Sequence, residues 1–298
     1  MLSVTTIGGY LGAGKTTLVN HLLRHANGKR LAVLVNEFGT LPIDADLIEA
    51  ESETLISIAG GCVCCSYGND LIEAMRDLSK LDPPPDHVLI EASGVALPGA
   101  IASSVSLMEG FAPDGIVVLA DAETIERQSR NDYIGDTIER QLSDANLIVL
   151  NKADLVTQDQ LATLEAWLEQ KAPQAAVMRS TQGQVPGAVI MGAFEISDRE
   201  QSTVHPDLDH LGSAAFEFKT PVDAQKLAVA LADAKLDLVR AKGFAPTPTG
   251  LRAIQIVGRR WTVADAAASA SPGLVVIAPH TRLDRAVIQD AISRSELS

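Results

Sequence analysis

The run Gly9-Tyr10-Leu11-Gly12-Ala13-Gly14-Lys15-Thr16 constrains this chain more than any other feature. It reads G-x-x-x-x-G-K-[ST] and lies between an apolar stretch, Ser3–Ile7, and a helical pattern, Lys15–His25. A strand that turns through glycines directly into a helix leaves a ring of backbone N–H groups that suits polyphosphate oxygens. A Cβ would obstruct that approach, so the loop needs glycine. The helix N-terminus adds orphan donors and partial positive charge. On this reading Gly9, Gly12, Ala13, Gly14, Lys15, Thr16 and Thr17 hold the nucleotide. Lys15 reaches the β- and γ-phosphates and serves catalysis as well as binding. The Thr16 hydroxyl is an oxygen ligand suited to Mg²⁺, a hard cation.

The surrounding pattern predicts the scaffold. Strand candidates are Ser3–Ile7, Leu31–Asn36, Leu55–Ile58, His87–Glu91, Ile116–Asp121, Leu147–Asn151 and Ala175–Met178. Most are continuous Val, Ile and Leu runs, as expected of parallel strands buried on both faces. Helical patterns at Lys15–His25, Asp70–Leu81, Ile125–Leu142 and Gln158–Lys171 alternate with them, and Pro83-Pro84-Pro85 stops the second. The expected class is α/β, a doubly wound, mainly parallel P-loop sheet followed by a smaller α+β C-terminal domain. The expected domains are residues 1–183, a linker at 184–213, and 214–298. In the last of these, Ala215–Lys219, Ile254–Val257, Arg260–Val263 and Leu274–Ala278 read as strands, and Val222–Ala234 and Leu283–Ser293 as helices. Gly258-Arg259 suits a type II′ hairpin.

Composition narrows the partners. With 24 Lys plus Arg against 38 Asp plus Glu, the net charge is −14. That argues against nucleic acid and anionic membrane as partners, since both require a cationic surface. No apolar run reaches membrane-spanning length, and the start carries no basic leader, so the expected location is cytoplasmic.

Leu147–Leu150 leads into Asn151-Lys152-Ala153-Asp154, an N-K-x-D run at a strand end. The Asp154 carboxylate can accept from guanine N1–H and from the exocyclic amine, and adenine offers neither donor on that edge. Such a site rejects the wrong base because buried polar groups would be left unmet. The Lys152 stem can cover the base and Asn151 can brace the loop. Arg179–Gly183, after the next strand, can add backbone contacts.

Two further loops follow strands. In Val88-Leu89-Ile90-Glu91-Ala92-Ser93-Gly94, Glu91 can hold Mg²⁺ through water or orient the attacking water, and the Gly94 N–H can bond the γ-phosphate. Glu37 and Asp44 lie in a second polar loop, where either can touch the metal–phosphate region. No arginine finger stands out, so slow intrinsic hydrolysis is expected.

All three cysteines fall in Gly60-Gly61-Cys62-Val63-Cys64-Cys65. An odd count within four residues is not a secreted disulfide framework. Three readings stand: a thiolate site for Zn²⁺ or another thiophilic metal, buried inert thiols, or a redox pair, although the spacing is not C-x-x-C. The trio lies in sequence between the Glu37/Asp44 loop and the Glu91 loop. Nucleotide state and thiol geometry are therefore expected to be coupled, reciprocally in binding free energy.

Together GYLGAGKTT, VNEFG, GGCVCC, EASG and NKAD stand in the order seen in CobW-type GTPases, and the chain resembles that family. These are metal-handling P-loop GTPases related to the nickel-insertion GTPases of urease and hydrogenase. The resemblance is strong over residues 1–183 and continues through FEFKTP at 216–221 and LVRAKGF at 238–244. It implies that Cys62, Cys64 and Cys65 bind a cargo metal, zinc or cobalt, and that GTP hydrolysis drives its transfer to a client metalloprotein. Some members serve nitrile hydratase maturation. Many carry a histidine-rich stretch between the domains, where this chain has His205 and His210. The expected function is a GTP-dependent metallochaperone binding GTP, GDP, Mg²⁺ and Zn²⁺ or Co²⁺, with a homodimer as a further expectation. The rival readings are a zinc-binding regulatory module tuned by GTP without turnover, and an ATP-dependent small-molecule kinase, against which Asp154 speaks.

Overall fold

The computed structural model describes residues 1–26, 28–35, 55–59, 69–192, 211–266, 270–279 and 281–297. Contacts divide the chain into two compact units. One is Met1–Pro173 with Val177–Met191, and the other is Gln174–Ala176 with Gly192–Ser298.

The first unit is built on a seven-stranded sheet. Its strands are β1 (Leu2–Gly9), β2 (Leu31–Val35), β3 (Leu55–Ala59), β4 (His87–Glu91), β5 (Phe111–Asp121), β6 (Leu147–Asn151) and β7 (Ala176–Arg179). Their order is β3-β2-β4-β1-β5-β6-β7. The pairings β3–β2, β2–β4, β4–β1, β1–β5 and β5–β6 are all parallel. The expected doubly wound α/β class is what the structure has. Period-two alternation explains the continuous apolar runs. Ala32, Leu34, Val88 and Ile90 pack with Leu71, Met75 and Leu78 of α2 (Asn69–Ser79) and with Ile101 and Val105 of α3 (Pro98–Ser106). Leu31, Val33 and Leu89, one position off, face the opposite side and are equally buried. α1 (Lys15–Arg24) packs on β1 and β4.

Several elements differ from the sequence reading. β5 begins at Phe111, not Ile116, because the register with β1 skips Asp114 between Pro113 and Gly115. Such a bulge beside a proline hides the strand pattern. The single helix expected over Ile125–Leu142 is two, α4 (Ile125–Ser129) and α5 (Gly135–Asp144). Between them the Asn131 side-chain oxygen accepts from the N–H groups of Tyr133 and Ile134, at 2.9 and 3.3 Å, and so competes with the helix. α3 is additional to the helices expected from the sequence: its Ala/Ser-rich run shows no apolar stripe, although Pro98 is a typical first helical residue. α6 (Gln158–Lys171) falls where expected, with a Thr157/Gln160 capping box. α7 (Gly187–Met191) forms within the stretch read as linker. Val189, Ile190 and Met191 are buried, and Thr5 Oγ1 donates to Ile190 O at 3.1 Å while meeting His87 Nε2 at 2.8 Å.

The second unit is an antiparallel sheet, β11-β10-β9-β12-β8. Its strands are β8 (Leu211–Phe216), β9 (Arg240–Thr247), β10 (Gly250–Val257), β11 (Arg260–Asp265) and β12 (Gly273–Pro279). α8 (Ala224–Leu231) and α9 (Arg285–Ser293) bury Leu227, Leu231, Ile288 and Ile292 against Ala241, Ala245, Ile254, Ile256 and Val276. This is the expected α+β domain. β8 lies four residues earlier at its start than the strand read at Ala215–Lys219. β9 shows no strand pattern in the sequence because its core-facing residues are the small Ala241, Gly243 and Ala245. Gly258 has φ +59° between β10 and β11, and Arg259 is not among the positive-φ residues, as a type II′ turn requires.

Candidate nucleotide site

β1, β4 and β6 run parallel, so Gly9, Glu91 and Asn151 arrive at one edge of the sheet. That is the carboxyl edge. β1 lies between β4 and β5, where the winding reverses, and crevices of this kind are where open α/β sheets bind ligands.

The phosphate loop, Gly9–Gly14, is held by close approach on both flanks. Gly9 has φ +129°, and a Cβ there would lie 2.4 Å from Leu119 O of β5. Gly14 has φ +102°, and its Cβ would lie 2.4 Å from Asn151 Nδ2. Both positions exclude any side chain. The Ala13 N–H lies 3.2 Å from Tyr10 O, closing the turn. α1 begins at Lys15, so the first donors of the helix open onto the loop. The Lys15 ammonium folds back over it, donating to Gly9 O at 3.0 Å and Tyr10 O at 3.5 Å, and the residue is 8% exposed. The Thr16 hydroxyl donates to Glu91 Oε1 at 2.8 Å. Glu91 is buried. Thr16 and Glu91 thus place two hard oxygen donors side by side at the mouth of the loop.

Gly94, three residues beyond Glu91, lies on the loop itself. A Cβ there would come 2.9 Å from Leu11 N.

The second arm of the site comes from β6 and β7. Asn151 Nδ2 donates to Ala13 O at 2.9 Å, and Asn151 Oδ1 accepts from Gly183 N–H at 3.0 Å. One buried amide therefore ties the phosphate loop to the loop after β7. Lys152 adopts the left-handed conformation, φ +60°, and its ammonium bonds Asp121 Oδ2 at 2.6 Å. Asp154 is exposed at this edge. The Ala153 N–H bonds Ser180 O at 3.0 Å, and the Ser180 N–H bonds Leu150 O at 2.9 Å. Arg179 points away, forking onto Glu165 Oε1 and Oε2 at 2.6 and 2.7 Å and onto Gln158 at 2.7 Å. The hydrogen bond with Glu165 raises the already high guanidinium pKa.

Asp121 and Gln141 were not singled out from the sequence. Asp121 carried a usable signal. It ends β5 opposite Asn151 in register, at the same carboxyl edge. Glu37, Asp44, Cys62, Cys64 and Cys65, all read as metal ligands, lie outside the described residues. Among the described residues no three His, Cys, Asp or Glu side chains gather into a metal site, and no helix is long and apolar enough to cross a membrane.

Residues 3–179 match the CobW/HypB/UreG nucleotide-binding domain, and residues 211–295 match the cobalamin synthesis protein CobW C-terminal domain. The chain belongs to the CobW/HypB/UreG family. It is 31% identical to a zinc chaperone CobW of Pseudomonas aeruginosa, over 98% of this chain and 90% of that one. A zinc chaperone CobW of a Sinorhizobium species is 28% identical over 98% and 96% of the two chains. The zinc chaperone YjiA of Escherichia coli is 30% identical over 82% and 81%. The Zn(II)-bound crystal structure of the YjiA GTPase shares the fold, with a TM-score of 0.50 at 22% identity over 99% of both chains.

Proposed function

We propose that this protein is a GTPase that carries zinc, or cobalt as a second candidate, on Cys62, Cys64 and Cys65 and couples GTP hydrolysis to its transfer to a client metalloprotein. The observation that carries the nucleotide half is the single amide of Asn151, which ties the phosphate loop to the N-K-x-D edge. Both ends of a guanine nucleotide are thereby addressed by one rigid element. The relatives named zinc chaperones carry the metal half.

Asp154 supplies the guanine preference, and the Lys152 stem, steadied by Asp121, covers the base. Lys15 and the donors at the start of α1 hold the β- and γ-phosphates. The oxygen pair Thr16 and Glu91 fits Mg²⁺, Thr16 as direct ligand and Glu91 beside it. When bound, Mg²⁺ supplies neutralisation of charge on the β- and γ-phosphate oxygens. Glu91 bonds Thr16, which favours its metal-side role over orienting the attacking water. The Gly94 N–H meets the γ-phosphate and loses that partner after hydrolysis. Three thiolates leave a fourth position open, which suits transfer of a cargo ion better than permanent storage.

The test is steady-state phosphate release from GTP with and without Zn²⁺ or Co²⁺, alongside metal titration of Cys64→Ala. Turnover of GTP over ATP is expected. Cys64→Ala is expected to weaken Zn²⁺ binding at least about tenfold while GTP still binds, since one thiolate of three is lost. Absence of turnover under every metal would leave the regulatory-module reading in its place. Unchanged zinc affinity in Cys64→Ala would remove the cargo site.

A further inference from the structure

The loop leaving β4 is gripped from outside the nucleotide site by α5. Gln141 is 1% exposed, and its Nε2 donates to Gly94 O at 3.1 Å and to Ala96 O at 2.8 Å. Three residues on, Asp144 Oδ2 accepts the Gly99 N–H at 3.0 Å, at the start of α3. Positions i and i+3 share a helix face, so α5 presents both side chains to the one segment. Two carbonyl acceptors can be met only by the NH₂ end of the amide, which fixes how Gln141 lies. The neighbouring buried positions of α5, Ile138 and Leu142, are apolar, so filling space on this helix does not call for an amide.

Gly94 is therefore held twice. Its Cα rests on Leu11, where an added Cβ would come 2.6 Å from Leu11 Cδ2 and 2.9 Å from Leu11 N. Its carbonyl is fixed by Gln141. With both fixed, little freedom remains to the Gly94 N–H, the group assigned above to the γ-phosphate.

We infer that Gln141 is a positioning residue for nucleotide-state sensing. It holds Gly94 against the phosphate loop so that its N–H meets the γ-phosphate without a search, and thereby sets both GTP-over-GDP preference and turnover. This rests on the GTPase reading given above. Gln141 acts through Gly94, not on the nucleotide.

The test is Gln141→Leu, which keeps the volume and helix preference and removes both donors. Affinities for GDP and for a non-hydrolysable GTP analogue, kcat, and melting temperature are measured together. GDP affinity is expected to stay within about twofold, while kcat and the analogue-to-GDP affinity ratio each fall about tenfold. A side chain that only stabilises the fold would lower the melting temperature and leave that ratio unchanged. An unchanged ratio and kcat in folded Gln141→Leu, or an equal loss for both nucleotides, overturns the inference. Wild-type protein without GTP turnover would sink the GTPase reading instead, and the affinity ratio would still judge Gln141. If Gln141→Leu does not fold, Gln141→Met carries the same comparison.

Discussion

Lys15→Ala is expected to lower GTP turnover by about two to three orders of magnitude and to leave the fold intact. The ammonium is held in the phosphate loop by Gly9 O and Tyr10 O at low exposure, and the proposed function has its charge act there on the phosphate oxygens. Removing a preorganised charge from such a site costs about 3–4 kcal/mol of transition-state stabilisation, and each 1.36 kcal/mol is a factor of ten. The structural loss is small by comparison. Two lysine–carbonyl bonds disappear, to Gly9 O and to Tyr10 O at the long distance of 3.5 Å, and alanine is the better helix former at the first turn. Melting temperature within a few degrees of wild type, together with lost turnover, is the expected signature. Undiminished turnover would mean that the loop does not hold the reacting phosphates.

Asn151→Ala is expected to do the opposite, weakening fold and binding together. Its amide is buried and serves two loops at once, Ala13 O and Gly183 N–H. Alanine leaves an acceptor and a donor unmet, each at about 1–3 kcal/mol. A loss of about 2–6 kcal/mol follows, which is roughly 4–24 °C in melting temperature for a domain of this size. Nucleotide affinity is expected to fall about a hundredfold, because the phosphate loop and the base-side loop lose their common anchor. GTP and GDP suffer alike, since neither contact touches the γ-phosphate. Fluorescent-nucleotide titration with a thermal melt reads both. A stable variant of normal affinity would show that the two loops hold themselves in place.

These two substitutions also show what a sequence can convey. Lys15 and Asn151 sit in short runs whose residue types follow from phosphate and base chemistry, and both land at one sheet edge. The parallel sheet was equally legible, because strands buried on both faces must be apolar at every position. What the sequence hides depends on distant partners. α7 is stabilised by Thr5 and by burial on β1. β9 is a strand of small residues that only a sheet on either side makes sense of. Asn131 splits a helical pattern with a local hydrogen bond. Gln141 looks like an ordinary polar residue until Gly94 is brought to it by the fold. The cysteine trio stood out in the sequence by spacing alone and lies outside the described residues.

We propose that the terminal phosphate of the nucleotide sets how tightly Cys62, Cys64 and Cys65 hold their ion. Calorimetric titration of Zn²⁺ into protein loaded with a non-hydrolysable GTP analogue, with GDP, and with no nucleotide tests it most directly. Dissociation constants differing about tenfold or more between the first two are expected, a coupling of about 1.4 kcal/mol. Equal constants in all three would contradict the account.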